Sequence, residues 1–252
     1  MAVSVLILAG QREGVIDPLC AAAGVERKAI IPINGKPMID YVLNALSAAK
    51  LKSPFHVSGF DAAYDKRLTQ SSSAPGPAVS AYAALTDGIS FPCIVTTCDH
   101  PLLTKEMLDI FISGAKDSGA DFCVGFAEKN IIQPAYPDVK RTYWNFSDRP
   151  VSGCNLFYIA NKKGLAVIDF WKQVQHLRKK PIKLARIVAW GLLFKYLLGR
   201  LTLQEAFDYV SKRLSISATP ILIPIAEAAI DVDKPSDKDL VEKILAGAER
   251  GA

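Results

Sequence analysis

No two of the five cysteines, Cys20, Cys93, Cys98, Cys123 and Cys154, stand at CxxC spacing, and their number is odd. A structural zinc site and a disulfide framework are both disfavoured, and a reducing compartment fits best. Glycine at 16 and proline at 15 stay near ordinary usage, which leaves no room for a collagen-like or low-complexity chain. No internal repeat and no obvious linker divides the sequence, so residues 1–252 are read as a single domain. An uninterrupted apolar stretch of the roughly 20 residues that a membrane span needs is also missing. The first apolar segment, Val3 to Ala9, opens without the basic leader of a signal peptide, and a cytoplasmic protein is expected.

Half of the residues are hydrophobic and 22% are charged, which excludes wholesale disorder, and 252 residues can bury a substantial core. The formal charge of +5 is unevenly spread. From Trp171 to Arg213 ten Lys and Arg face only Glu205 and Asp208, so this segment carries +8 and the remainder −3. A basic element on a slightly acidic body points to an anionic substrate, a membrane surface or, last in rank, a nucleic acid. Within it, Ile187 to Leu198 is apolar almost all round but contains Lys195. It reads as a buried helix or subunit contact with a solvated basic flank, in preference to a helix lying on an anionic membrane. The aromatic and glycine organisation of RNA-binding modules is absent, and no nucleic-acid partner is expected.

Short β-rich runs alternate with helical periodicity. Val3–Ala9, Phe55–Gly59, Cys93–Thr97, Phe122–Phe126 and Ile221–Ile225 read as strands. Asp40–Ala49, Val79–Leu85 and Lys105–Ser118 read as helices, residues 163–213 as mostly helical, and a last helix as running from about Ser236, its N-cap, to Ala248. Such alternation predicts an α/β fold, a mainly parallel, Rossmann-like sheet flanked by helices, with residues 163–213 as a helical insertion. Ligands of such sheets bind beyond the carboxyl ends of the strands. Between about 128 and 155, Pro134, Pro137 and Pro150 interleave with Tyr136, Tyr143, Trp144 and Phe146, which suggests a substrate-facing excursion with a short hairpin.

Three stretches carry candidate chemistry. The first strand runs into Leu8-Ala9-Gly10-Gln11-Arg12-Glu13-Gly14, and Lys28 follows ahead of Ile33-Asn34-Gly35-Lys36-Pro37-Met38. A glycine-bearing loop can bring backbone N–H groups to a triphosphate while Arg12 and Lys28 supply charge. The middle strand ends in Thr97-Cys98-Asp99-His100-Pro101-Leu102, where the plain reading of Asp99 is a helix cap. The late stretch Ile230-Asp231-Val232-Asp233-Lys234-Pro235-Ser236-Asp237 alternates, so Asp231 and Asp233 could address one cation. His100, beside Asp99, is not taken as a catalyst.

In this order the three stretches resemble the nucleotidyltransferase family that handles the molybdenum cofactor, methylerythritol phosphate and sugar phosphates. The resemblance implies a glycosyltransferase-A-like fold, also described as nucleotide-diphospho-sugar transferase-like, and NMP transfer from an NTP to a small phosphorylated acceptor with release of pyrophosphate. It places Lys28 and Arg12 on the triphosphate, with Leu8, Ala9, Gly10 and Gln11 beside the nucleotide. The small-residue stretch Ser73–Ser80 resembles the family's base-recognition loop, which assigns Gly76 and Ser80 to the nucleotide; its plain alternative is a Pro/Gly turn. The family's magnesium site falls on Asp99 and Asp233, with Asp231 in support. Ser152-Gly153-Cys154-Asn155 resembles the strand that closes the acceptor pocket, and Arg141 with Asn155 is assigned to the acceptor. Gln11 and the lengthened approach Val15–Val25 depart from the family pattern, and Asp17, Cys20 and Glu26 take no role from it. The rivals are a nucleotide-sugar glycosyltransferase, for which the compact DxD is missing at Asp99-His100-Pro101, and a non-enzymatic nucleotide-binding regulator.

Overall fold

The computed structural model describes residues 2–11, 17–174 and 190–249. In chain order the elements are β1 (Ser4–Leu8), α1 (Pro18–Ala23), the small hairpin β2 (Pro32–Ile33) and β3 (Lys36–Pro37), α2 (Met38–Ala48), β4 (Phe55–Ser58), β5 (Leu68–Gln70), α3 (Pro77–Thr86) and β6 (Cys93–Thr97). Then come α4 (Lys105–Ser118), β7 (Phe122–Glu128), α5 (Lys129–Ala135), β8 (Trp144–Asn145), β9 (Pro150–Ile159), α6 (Leu165–Val174), α7 (Trp190–Leu197), α8 (Leu203–Leu214), β10 (Ala218–Leu222) and α9 (Pro235–Glu249).

The main sheet runs β10-β7-β9-β6-β1-β4-β5, with β8 added against β9. β1 lies parallel to both β4 and β6, β4 to β5, and β10 to β7, whereas β9 runs antiparallel to β6 and β7. The sheet is therefore mixed and mostly parallel, and β9 is the strand inserted the other way. All five residues of β1 are buried, as a strand covered on both faces requires. Its side chains alternate between two cores. Val5 and Ile7 join Ile39, Val42, Leu43 and Leu46 of α2 and Met107, Leu108 and Phe111 of α4. Leu6 and Leu8 join Ala81, Ala84 and Leu85 of α3 and Ile168 of α6. Each fully buried Leu, Ile or Phe contributes about 1.5–3 kcal/mol, so helices that bury such stripes hold both faces.

Most expected elements form, and α4 and β6 keep their expected ends. The short elements β2, β3 and β5 lack enough residues to show a period, and α5 forms despite Pro134 inside it. β10 starts at Ala218 because the pairing with β7 begins there, opposite Phe122. The last helix starts at Pro235, so Ser236 lies inside it and is not its cap. All five cysteines are buried and free. No helix among the described residues is long and apolar enough to cross a membrane. Within the single chain the described part of the apolar run is not a buried helix: Phe194, Leu197 and Leu198 of the α7 region are exposed, as a subunit contact would also leave them. Ile187 to Ala189 and the cations Arg178 to Arg186 lie outside the described residues.

Candidate active site

The carboxyl ends of β1, β4 and β6 meet at one edge of the sheet. The backbone continues their ladder for a step, with the Ala9 N–H donating to Ser58 O at 2.9 Å and the Cys98 N–H to Leu8 O at 3.1 Å. Gly10 then passes directly against Gly59, whose φ is +81°; a Cβ on Gly59 would sit 2.3 Å from the Gly10 Cα. Gly59→Ala is therefore expected to lower stability by about 3 kcal/mol, read in urea unfolding, because both backbones are fixed by the sheet. An unfolding midpoint equal to that of the unsubstituted protein would show that the loop after β1 is free to move away.

The described part of the long approach to Lys28 is built on the short helix α1. Asp17 caps α1 by accepting from the Leu19 N–H at 2.8 Å, and Gly24 ends it at φ 64°. Leu19 and Cys20 pack with Ile31, Ile33, Leu102, Ile230 and Val232, which fixes the lysine loop against both aspartate segments. Lys28 opens a single 3-10 turn, Lys28–Ile30. Its Nζ donates to Asp99 Oδ2 at 2.6 Å and to Asp233 Oδ1 at 2.7 Å. The side chains of Lys28 and Asp99 are only 16% and 17% exposed, whereas Asp233 is 65% exposed. Burial alone would lower the pKa of the ammonium, but the two carboxylates outweigh it and hold Lys28 charged beyond the usual lysine range.

Two further contacts set these carboxylates. The Val232 N–H donates to the Asp99 carbonyl at 2.9 Å, joining the middle and late stretches through the backbone. Asp237, itself buried, accepts from the Asp233 and Lys234 N–H groups at 3.1 and 3.2 Å and so closes the turn that presents Asp233. Sequence reasoning gave Asp237 no role; the signal was its place four residues after Asp233, where a carboxylate can reach back to the free N–H groups ahead of a helix.

Asp231 does not share a target with Asp233. It accepts from Arg141 Nη2 at 2.5 Å and from Asn155 Nδ2 at 2.8 Å, with Asn155 at φ 52°. Burial raises the Asp231 pKa, and the Arg141 charge offsets only part of that. The late stretch thus divides: Asp233 meets Lys28, and Asp231 meets the two residues assigned to the acceptor.

The remaining candidates are more scattered. Gln11 donates through Nε2 to Cys20 Sγ at 3.7 Å. Gly76 caps α3 at φ 93°, and Ser80 turns back on its own loop, donating to Ala74 O at 2.6 Å and accepting from the Ala74 N–H at 3.1 Å, so that it braces the loop. Arg12 lies outside the described residues. His100 is buried, donates through Nε2 to Glu227 O at 3.3 Å, and is pushed down to about 4 chiefly by burial, which leaves it neutral.

No group of three or more His, Cys, Asp or Glu among the described residues is arranged to hold a metal. Asp99 and Asp233 nevertheless converge on one cation, the Lys28 ammonium, and Asp99 Oδ1 is buried without a hydrogen-bond partner. Hard oxygens of this kind fit magnesium, which binds through one or two carboxylates and takes its other ligands from water and phosphate.

Residues 20–145, half of the chain, match the MobA-like NTP transferase domain, and the chain belongs to that family. A probable molybdenum cofactor guanylyltransferase from Thermococcus gammatolerans is 33% identical over 115 residues, 43% of this chain and 59% of that protein. The match thus spans about three fifths of that relative's length. A hypothetical transferase from Thermus thermophilus superposes with a TM-score of 0.80 at 29% identity, over 94% of this chain and 100% of the other. Molybdopterin-guanine dinucleotide biosynthesis protein A from Archaeoglobus fulgidus shares the fold, with a TM-score of 0.52 at 13% identity over 97% of this chain and 100% of the other.

Proposed function

We propose that the chain is a magnesium-dependent nucleotidyltransferase that moves NMP from an NTP to a small phosphorylated acceptor and releases pyrophosphate. The observation that carries this reading is the Lys28 ammonium set between Asp99 and Asp233 at the strand ends of a MobA-like fold. An oxygen of the acceptor phosphate attacks the α-phosphorus, the bond to the bridging oxygen of the β-phosphate breaks, and pyrophosphate leaves with its electron pair. The acceptor arrives ionised, so no general base is needed and the chain's work is positioning and charge. Lys28 holds phosphate oxygens, and Arg141 with Asn155 orients the acceptor. Asp99 and Asp233 would hold a magnesium ion whose charge offsets that of the phosphates.

The guanylyltransferase relative makes GTP the first nucleotide to test. Each of the four NTPs, with magnesium, is offered phosphorylated sugars, polyols and cofactors, and pyrophosphate is read. Release that requires one NTP, one acceptor and magnesium is expected. Nucleotide binding without release in any combination would favour a regulator, and turnover of a nucleotide-sugar instead would favour a glycosyltransferase. In the productive combination, Lys28→Ala is expected to lower kcat/KM by a factor corresponding to about 1.5–3 kcal/mol, the scale of a lost charge-assisted contact. An unchanged kcat/KM would remove Lys28 from the phosphate site.

A further inference from the structure

A helix on a protein surface ordinarily turns its charges outward and its apolar stripe inward. α7 turns apolar side chains outward as well. Its one cation, Lys195, is paired at the surface with Glu205 of α8. Tyr196 faces the body: its ring meets Phe146 edge-on at 5.9 Å, and its hydroxyl accepts from the Asn145 N–H at 3.2 Å. On the outer side Phe194, Leu197 and Leu198 fall within one arc of the helix and are 64%, 71% and 57% exposed. Trp144, one residue before the strand position that Tyr196 grips, is 54% exposed. These four are among the five large hydrophobics exposed in the described residues, and a concentration of this kind marks a contact surface.

The charge of the sequence around α7 selects the occupant. Residues 171–213 carry +8, against −3 for the rest; five of their ten cations, Arg178 to Arg186, precede α7 in the chain and lie outside the described residues. A second copy would bring two such segments together, whereas Leu197 and Leu198 offer nothing to the bases or phosphates of a nucleic acid. Apolar side chains flanked in sequence by cations suit the headgroup boundary of an acidic lipid surface. We infer that the outer face of α7, with Trp144 beside it, docks this protein on anionic membranes without spanning them. The inference stands apart from the nucleotidyl-transfer reading.

The full chain is mixed with vesicles of phosphatidylcholine alone and of phosphatidylcholine with phosphatidylglycerol, then sedimented. Binding is expected to the anionic vesicles only and to weaken as salt rises. The double variant Phe194→Asp/Leu197→Asp is expected to bind about a hundredfold more weakly, since it removes two apolar anchors and adds two negative charges. Both side chains are exposed, so its circular dichroism and unfolding midpoint should match those of the unsubstituted protein. The inference is overturned if folded protein fails to sediment with anionic vesicles at low salt, or if the double variant binds as well as the parent. It is overturned equally if the protein binds no vesicles and forms a dimer that the double variant splits into monomers, which would assign the face to a second copy.

Discussion

Asp99→Asn and Asp233→Asn are each expected to lower magnesium-dependent turnover about a thousandfold or more, while both purified proteins keep the native fold. The first half follows from the chemistry proposed for the site. A carboxylate that holds a divalent cation against a triphosphate supplies several kcal/mol of charge stabilisation, and an amide of the same shape supplies little of it. The second half follows from the geometry. Lys28 keeps one carboxylate in either variant, since it touches both. The backbone bond from Val232 to the Asp99 carbonyl is unaffected by the side chain, and Asp237 still braces the turn at Asp233. The measurement is pyrophosphate release over a magnesium titration, beside thermal unfolding. Near-normal turnover of either variant at saturating magnesium would refute the assignment of that residue, and loss of the fold in Asp99→Asn would show that the Lys28 bridge is structural first.

The parts of this molecule that were legible in the sequence are those where one physical requirement dominates a whole stretch. β1 is buried throughout and β6 over its first four residues, so β1 is apolar except for Ser4 and β6 opens on the apolar run Cys93-Ile94-Val95. α4 announces itself by its apolar side, and the structure adds its caps, Thr104, which accepts from the Met107 N–H, and Gly119 at φ 62°. The convergence of Lys28, Asp99 and Asp233 was legible in part: Asp99 comes just after the strand Cys93–Thr97 and Asp233 just ahead of the last helix, whereas no element end could be placed beside Lys28. The partition of the late stretch was not. Alternation sets Asp231 and Asp233 two apart on an extended segment, but which partner each finds depends on Arg141 and Asn155, distant in sequence and brought near by β9 running antiparallel through the sheet. Nor could the sequence show which side of α7 faces out. Its residues are apolar nearly all round, so periodicity favoured no side, and only the grip of Tyr196 on the β8 hairpin and the tie from Lys195 to Glu205 orient it.

The Arg141–Asp231 pair leads to the largest expected change in stability. Arg141 and Asp231 are 11% and 15% exposed at the side chain, so Arg141→Met leaves a carboxylate with little water and no counter-charge. Breaking one side of such a buried pair lowers stability by about 3–5 kcal/mol, whereas replacing both charges by groups of similar volume is close to neutral. Arg141→Met/Asp231→Asn is accordingly expected to recover most of what Arg141→Met loses, with Asn155 still within reach of position 231. The pH dependence fixes the sign independently. Burial holds the pKa of Asp231 in the folded protein above its unfolded value, so the folded state prefers the protonated carboxyl, and stability falls as pH rises through that interval. Without Arg141 the offsetting charge is gone and the interval extends upward, so Arg141→Met should lose more at neutral pH than in the ordinary carboxylate range. Urea unfolding of the parent and both variants at the two pH values measures all of this. A loss below about 1 kcal/mol, or no recovery in the double variant, would mean that the two side chains are not a buried charge pair. Acceptor kinetics of the double variant then separate binding from stability: once the fold is restored, a KM for the acceptor that stays high while the KM for the NTP is normal identifies Arg141 as an acceptor contact, and two normal KM values would confine it to holding Asp231.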